Sequence, residues 1–466
     1  MAEENTIKKP TTSHNFTHKY GDPWIWGIFI ALMIISVIEN YSASSVLVSS
    51  KGIFTPIIKH TAFLLVGVGI TTFVARRDYY KPGFILLSVP VLSAFTVLTL
   101  VYVRFFGAIV NGARRAINIA GVSFQPAELA KVSIVTVLAY VLARNQEKNG
   151  LSNKGLLIAI VIVALYAAPM IQSGLTNCLL LGAICLTMIL IGGSSLKKLA
   201  IVGLAVGFIM GMGWLVKSCG DDNDETLRNA EAAKTEQVDV ASKEPVSEME
   251  EVFGNNEKKA NDGDVNRWAM RMDRVIKWWY NDSLVYWPID DKNSQEMFSR
   301  MAQAHGGVVG VGVGGNREGA RLPLAFSDYI YSIIIEETGL VGGIIVLVLY
   351  LSLLGRATII VRKCKRAWPS LIIIGIASAI TFQALFHMAI NTGVFPVSGQ
   401  PLPLISAGGT SVLVMSLAFG IMLSVSRTIS IVNKSNKNKE EEPEIELPEG
   451  LDAENLTQIT PKNVWK

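Results

Sequence analysis

Apolar stretches long enough to cross a bilayer recur ten times along the 466-residue chain, and no other feature restricts its fold so strongly. A helix needs about 20 residues to span a hydrocarbon core. Such stretches fall near 23–43, 57–75, 82–103, 126–143, 155–173, 175–193, 199–217, 328–355, 369–391 and 404–426. Half of all residues are hydrophobic and only 17% are charged, a balance too apolar for a water-facing surface. The predicted fold is an all-α polytopic membrane protein with ten transmembrane helices and a large extracytoplasmic loop between the seventh and eighth. Tyr41-Ser-Ala-Ser after the first span offers a cleavage site, but the span's length and the spans that follow favour a retained anchor.

An even number of spans puts both termini on one side, and the placement of Lys and Arg in short connections says which. Arg76, Arg77 and Lys81, then Arg144, Lys148 and Lys154, then Lys197 and Lys198, then Arg356, Arg362, Lys363, Lys365 and Arg366 fall in alternate connections. Those connections and both termini are expected to be cytoplasmic, in a multi-pass membrane protein. The opposite connections at 44–56 and 392–403 hold a single Lys between them. Arg104, Arg114 and Arg115 break the rule. The expected organisation is a cytoplasmic tail at 1–22, seven helices within 23–217, an extracytoplasmic loop at 218–327, three helices within 328–426 and a disordered cytoplasmic tail at 427–466. A net charge of +4 gives no sign of nucleic-acid binding. The four cysteines, Cys178, Cys185, Cys219 and Cys364, have no metal-type spacing and read as packing residues.

The connection at 218–327, about 110 residues, is far longer than an ordinary loop. Its part at 220–264 is rich in Asp, Glu, Lys, Asn and Ala, too polar to bury a core, and is expected to be disordered. From 267 to 300 the character changes. Trp268, Met270, Met272, Val275, Ile276, Trp278, Trp279 and Tyr280 alternate with basic residues, as in an amphipathic helix lying on the outer interface or packed on the rest of the loop.

Three stretches carry chemistry. In Asn111-Gly-Ala-Arg114-Arg115 through Phe124-Gln-Pro126-Ala-Glu128-Leu-Ala-Lys131, the proline suits the first turn of a helix. Glu128 and Lys131, three apart, then share one face. Charges at that depth are costly without partners or a pathway, so either a functional site or a self-compensating salt bridge results. The second stretch, Ser327-Asp328-Tyr-Ile through Glu336-Glu337-Thr-Gly339, places three carboxylates on one apolar helix, with Glu336 and Glu337 about 12 Å deeper than Asp328. Asp328 reads equally as a helix cap or as a base facing a membrane-surface substrate. The third, His387 to Ser411, holds three prolines and several glycines, so its backbone must be irregular. Irregular backbone near membrane depth is tolerated where it is buried or lines a polar cavity, and a re-entrant wall is expected. Gly310, Gly312 and Gly315 match a dinucleotide-binding pattern, but without a preceding strand they read as turn glycines.

Four ordered motifs together resemble the SEDS family of FtsW, RodA and SpoVE. These are Ser42-Ala-Ser44, Asn111-Gly-Ala-Arg-Arg with Phe124 to Lys131, Ser327-Asp-Tyr-Ile with Glu336-Glu-Thr-Gly, and Pro401-Leu-Pro-Leu-Ile-Ser-Ala-Gly-Gly-Thr-Ser411. The resemblance covers 23–430. Asn111 to Arg115 and Val397-Ser-Gly-Gln400-Pro resemble the division members, FtsW, more than the elongation member RodA. The chain departs from the family at Ala116, at Arg321 to Ser327 and in the length of its acidic insert.

The resemblance implies an inverting peptidoglycan glycosyltransferase that polymerises lipid II on the outer face of the inner membrane during septal cell-wall synthesis, with undecaprenyl pyrophosphate as leaving group. Alternatives are a lipid II flippase or the RodA-type elongation polymerase. No paired broken helices of a transporter repeat are visible in the sequence. Asp328 would be the general base, and Arg114, Arg115 and Lys131 would meet the leaving group's charge, with Glu128 orienting Lys131 or touching a metal. Ser406, Gly408, Gly409, Thr410 and Ser411 would complete the substrate site. The resemblance leaves room for a divalent cation, Mg or Mn, and calls for no organic cofactor. Implied partners are lipid II and nascent glycan, a class B penicillin-binding protein (transpeptidase, FtsI type) and other divisome membrane proteins, with no nucleic acid.

Overall fold

The computed structural model describes residues 19–44, 55–77, 82–110, 113–119, 122–147, 150–195, 197–198, 278, 289, 294–322, 325–364 and 366–440. The expected span at 199–217, the acidic insert and all of 267–293 except Trp278 and Ile289 lie outside these residues. Nine of the expected spans coincide with helices: α1 Pro23–Ser44, α2 Thr55–Ala75, α3 Pro82–Phe106, α4 Pro126–Arg144, α5 Asn153–Ser173 and α6 Leu175–Ile191, then, after the shorter helix α7 Ser294–Gly306, α8 Ile330–Arg362, α9 Ala367–Asn391 and α10 Gly409–Glu440. Among the described residues seven of these are long and apolar enough to cross a membrane, and α3 and α6 hold shorter apolar helices, Ser88–Val103 and Thr176–Ile191. In α4, α9 and α10 about four-fifths of the apolar window is buried, against 28% in α2, α5 and α8, so the first three form the centre.

Two expectations need correction. The fold is not all-α, because of the connection between α3 and α4. That connection forms an antiparallel three-stranded sheet, β1 Ala108–Val110, β2 Ala113–Ile119 and β3 Val122–Phe124, in the order β1-β2-β3. β1 and β2 are separated by Asn111-Gly112, a strong hairpin signal, and the strands are rich in β-branched residues. The second correction is at the end of α10, which continues through Glu440, so 427–440 is not disordered. No proline falls between Pro403 and Pro443. Ile429 extends the buried face, and Ser424 and Arg427 bond the carbonyls of Arg77 and Arg76 at the end of α2.

The same end of the bundle gathers the start of α1 and the end of α8. Asp22 caps α1 by accepting the Trp24 N–H at 3.0 Å, and its carboxylate takes a two-pronged bond from Arg356 of α8, the closest at 2.7 Å.

Helix α8 is broken nine residues in. Gly339 has φ 72° and ψ −174°, and the glycine-rich segment after α7 lies against the break. Val311 and Gly312 donate to the carbonyls of Glu336 and Glu337 at 3.0 and 2.9 Å, while Leu340 and Val341 donate to those of Gly307 and Val308 at 3.0 and 3.3 Å. Four backbone groups freed by the break are thereby satisfied without water, as membrane depth requires. Gly310, with φ +86°, sits where a Cβ would lie 2.2 Å from the Glu337 oxygen. Of the turn glycines of the sequence, Gly310 is therefore required by close approach, and Gly312, with φ +94° and open space around it, by its backbone conformation.

An alanine at Gly339 would adopt a left-handed conformation and bring its Cβ within 2.2 Å of the Val308 oxygen. Gly339→Ala should cost about 2–4 kcal/mol, visible as a lower melting temperature of the detergent-solubilised protein. Gly355→Ala, on the same helix with nothing within 4 Å, should leave the melting temperature unchanged or slightly raised.

Candidate active site

Asp328 closes a single helical turn, Ala325–Asp328, that precedes α8 and the span beginning at Ile330. Its carboxylate does not cap α8. The capping position belongs to Tyr329, which makes no side-chain capping bond, and the Ser332 N–H is shared between the Tyr329 carbonyl at 3.0 Å and the Asn391 side chain at 3.3 Å. Asp328 is half-buried, accepts a hydrogen bond from Ser327 Oγ at 3.0 Å and faces Gly399, where a Cβ would stand 3.0 Å from its Oδ2. Burial pushes its carboxyl above the usual carboxylate range, while the Ser327 hydroxyl and the Arg115 charge hold it back. Arg115, on β2, thus acts electrostatically on Asp328 although more than 200 residues separate them. Arg114 is its neighbour on the same strand, paired with Ile109.

The wall facing Asp328 is the irregular segment 392–408 between α9 and α10. Ser406 Oγ donates to the Ser327 carbonyl at 2.7 Å and accepts the Leu402 N–H at 2.7 Å, so the segment is tied to the residue beside the carboxylate. Its carbonyls are met by side chains from the helices around it. His387 Nδ1 lies 2.6 Å from the Gln400 oxygen and must donate there; Gln383 donates to Pro401 at 3.0 Å and Tyr350 to Pro403 at 2.6 Å. Ser36 and Asn40 of α1 both donate to Ile405, at 3.0 and 2.6 Å. Leu404 within it has φ 64°, the one positive φ among described non-glycine residues. The segment passes into α10 at Gly408 and Gly409, and Thr410 Oγ1 donates to the Ser123 carbonyl of β3 at 2.9 Å, joining the strands to the wall. Ser411 is buried.

Glu128 and Lys131 meet as expected, at 2.7 Å, but both are 1% exposed. Lys131 Nζ also donates to Gln383 Oε1 at 2.6 Å, and Gln383 Nε2 reaches Glu128 Oε2 at 3.3 Å. The pair is therefore closed on itself and on the Gln383 that holds Pro401. In this arrangement Lys131 supports the wall from below, and its charge is directed at protein. Both carboxylate oxygens of Glu128 are likewise occupied. Among the described residues no three His, Cys, Asp or Glu side chains converge to hold a metal ion, so the implied Mg or Mn finds no ligand set there.

Glu336 and Glu337 lie deeper and serve the break in α8. Glu336 Oε1 accepts the Arg317 and Glu318 N–H groups at 2.9 and 3.2 Å and contacts His305 Nδ1 at 2.9 Å. Glu337 Oε1 accepts from Ser42 Oγ and Asn316 Nδ2. The two carboxylates anchor the segment that runs from α7 toward Asp328. Trp278, the one described residue of the expected amphipathic stretch before Ile289, donates to the Gly393 carbonyl at 3.0 Å.

Ser36, Asn40, Gln383 and Tyr350 are the residues that sequence reasoning passed over, and His387 and Asn391 entered it only as part of the third stretch. Their signal was available: each is a polar group inside an apolar helix, where a partner is obligatory.

Comparisons with known proteins agree with this architecture. The family model described as "Cell cycle protein", FTSW_RODA_SPOVE, matches residues 23–220 and 265–431. A protein of Geobacter metallireducens named probable peptidoglycan glycosyltransferase FtsW is 26% identical over 404 residues, covering 85% of this chain and 92% of its own length. Stage V sporulation protein E of Bacillus subtilis is 26% identical over 411 residues, covering 86% and 95%. Among solved structures, a chain of a peptidoglycan synthase complex, described as coordinating polymerization and crosslinking, superposes with a TM-score of 0.61 at 18% identity, over 87% of this chain and 97% of that one. The rod shape determining protein RodA of Thermus thermophilus gives 0.55 at 17% identity, over 87% and 96%. These structures share the fold, and with a family model that spans most of its length the chain belongs to the FtsW/RodA/SpoVE family.

Proposed function

We propose that this protein is a peptidoglycan glycosyltransferase that polymerises lipid II on the outer face of the inner membrane, in the septal role that its FtsW-named relatives suggest. The observation that carries the reading is a half-buried Asp328 facing Gly399 of a buried polar wall, within electrostatic reach of Arg115, the arginine that broke the charge rule. The full architecture is ten spans, with 199–217 as the seventh and 218–327 as the extracytoplasmic loop, both termini cytoplasmic. A class B penicillin-binding protein is the partner, in keeping with the polymerisation and crosslinking named for the structural relative.

In the reaction, Asp328 accepts the proton of the acceptor's GlcNAc 4-hydroxyl as that oxygen attacks the anomeric carbon of the donor's MurNAc. The bond from this carbon to the pyrophosphate breaks, and the α-linked donor becomes a β-linked glycan. Burial of the carboxyl suits the task, because a base works best when its pKa approaches the working pH. Arg115, with Arg114, stabilises the negative charge that collects on the leaving pyrophosphate. Lys131 and Glu128 act indirectly, through Gln383 and the wall. Gly408, Gly409, Thr410 and Ser411 form the edge of the site at the positive end of α10.

Purified protein with its transpeptidase partner and lipid II should make glycan chains, and Asp328→Ala should abolish them. Polymer from Asp328→Ala would sink the base assignment, and movement of labelled lipid II across liposomes without polymer would favour the flippase.

The base must be ionised to act, so kcat/KM should fall as pH drops through the raised pKa of Asp328. Arg115→Ala removes a charge that holds this pKa down. Its acid limb should shift to higher pH, and an unmoved limb would separate Arg115 from Asp328.

A further inference from the structure

We propose that Asn391, the last residue of α9, is a positioning residue that sets the direction of the Asp328 carboxylate by holding the backbone on which it stands. The inference rests on the reading of Asp328 as the base. Asn391 is 2% exposed, and its side chain is fully engaged. Nδ2 donates to the Asp328 carbonyl at 3.1 Å and to the His387 carbonyl at 2.9 Å, while Oδ1 accepts from the N–H and the hydroxyl of Ser332 at 3.3 and 2.9 Å. One amide group therefore grips both sides of the junction at which the turn carrying Asp328 passes into α8.

That junction needs an external grip. Tyr329, at the capping position, has φ −126° and ψ 19° and makes no side-chain capping bond, so its carbonyl alone meets the Ser332 and Ile333 N–H groups from within the segment, at 3.0 and 3.4 Å. Asn391 of α9 adds a second acceptor there, for the Ser332 N–H and hydroxyl, and through its other end restrains the Asp328 peptide. Rotation of that peptide would swing the carboxylate away from Ser327, Gly399 and Arg115. The grip is itself braced from outside the bundle. The Asn391 carbonyl accepts from Ser299 Oγ at 3.1 Å and Gln303 Nε2 at 2.6 Å, both on α7, and the Ser299 and Ser332 hydroxyls are 2.7 Å apart. Asp328, α8, α9 and the shorter helix α7 are thus joined at one amide.

A merely structural Asn391 would lower stability and leave turnover per folded molecule intact. A positioning Asn391 lowers turnover itself, because small displacements of a reacting group are costly. Glycan synthesis by Asn391→Ala, with the partner and lipid II present and rates normalised to folded protein, should show kcat reduced about 10- to 100-fold with KM little changed. Ser299→Ala removes buried bonds of the same cluster without touching the Asn391 side chain or Asp328. It should lower the melting temperature and keep kcat near wild type. Where Asn391→Ala does not fold, Asn391→Asp carries the test, since it keeps the acceptor for Ser332 and exchanges the amide donor facing Asp328. Wild-type kcat in the Asn391 variant, or an equal loss in Ser299→Ala, would overturn the proposal. Asp328→Ala in the same assay separates the two failures: activity there defeats the base reading, whereas an inactive Asp328→Ala beside a fully active Asn391 variant defeats only the inference.

Discussion

In hydrocarbon, a backbone group that leaves the helical ladder has no water to receive it, and each one left bare costs several kcal/mol. This protein leaves the ladder twice among its described residues at membrane depth, at Gly339 in α8 and through 392–408 between α9 and α10. The first departure is matched by backbone, in the glycine-rich segment that lies across the break. The second is matched by side chains, from α1, α8 and α9, each aimed at one carbonyl. Without those partners neither departure is affordable, and with them the irregular stretches become as fixed as the helices.

The site follows from that arrangement. Asp328 stands just outside the apolar part of α8, and the segment facing it is held in place by Ser406, Gln383 and His387. The buried Glu128–Lys131 pair belongs to the same support. Removing one member of such a pair typically costs about 3–5 kcal/mol, because the other charge is left in an apolar interior. Its two charges are completed by Gln383, whose amide also reaches Pro401, so the pair, the glutamine and the wall form one polar unit inside an otherwise apolar bundle. The arginine of β2 contributes the opposite quality, a charge outside the spanning helices that acts on Asp328.

Much of this is legible along the chain. Each apolar stretch forms a helix wherever one is described, and the prolines of 396–403 rule out a continuous helix there. Pro126 marks the start of α4, and the spacing of Glu128 and Lys131 brings them together before any tertiary contact is known. The Asn111-Gly112 hairpin was equally legible, but hydrophobicity that suits a bilayer hides a period-two strand pattern when the two are read together. The extension of α10 to Glu440 was hidden for a related reason: polar composition says that a segment is wet, and not whether it is helical.

What the sequence by itself determined, then, is which segments enter the membrane, where they must break and which polar residues have to find partners. It did not determine who those partners are. Gln383 and Lys131 are 252 positions apart, Ser42 and Glu337 are 295 apart, and the role of Lys131 changed from a charge offered to a ligand to a charge spent on protein once its neighbours were known. A residue's obligation to be hydrogen-bonded is a property of its own chemistry and depth, and it can be read locally. The identity of the group that meets it depends on how helices pack across hundreds of residues, and only the tertiary structure decides that.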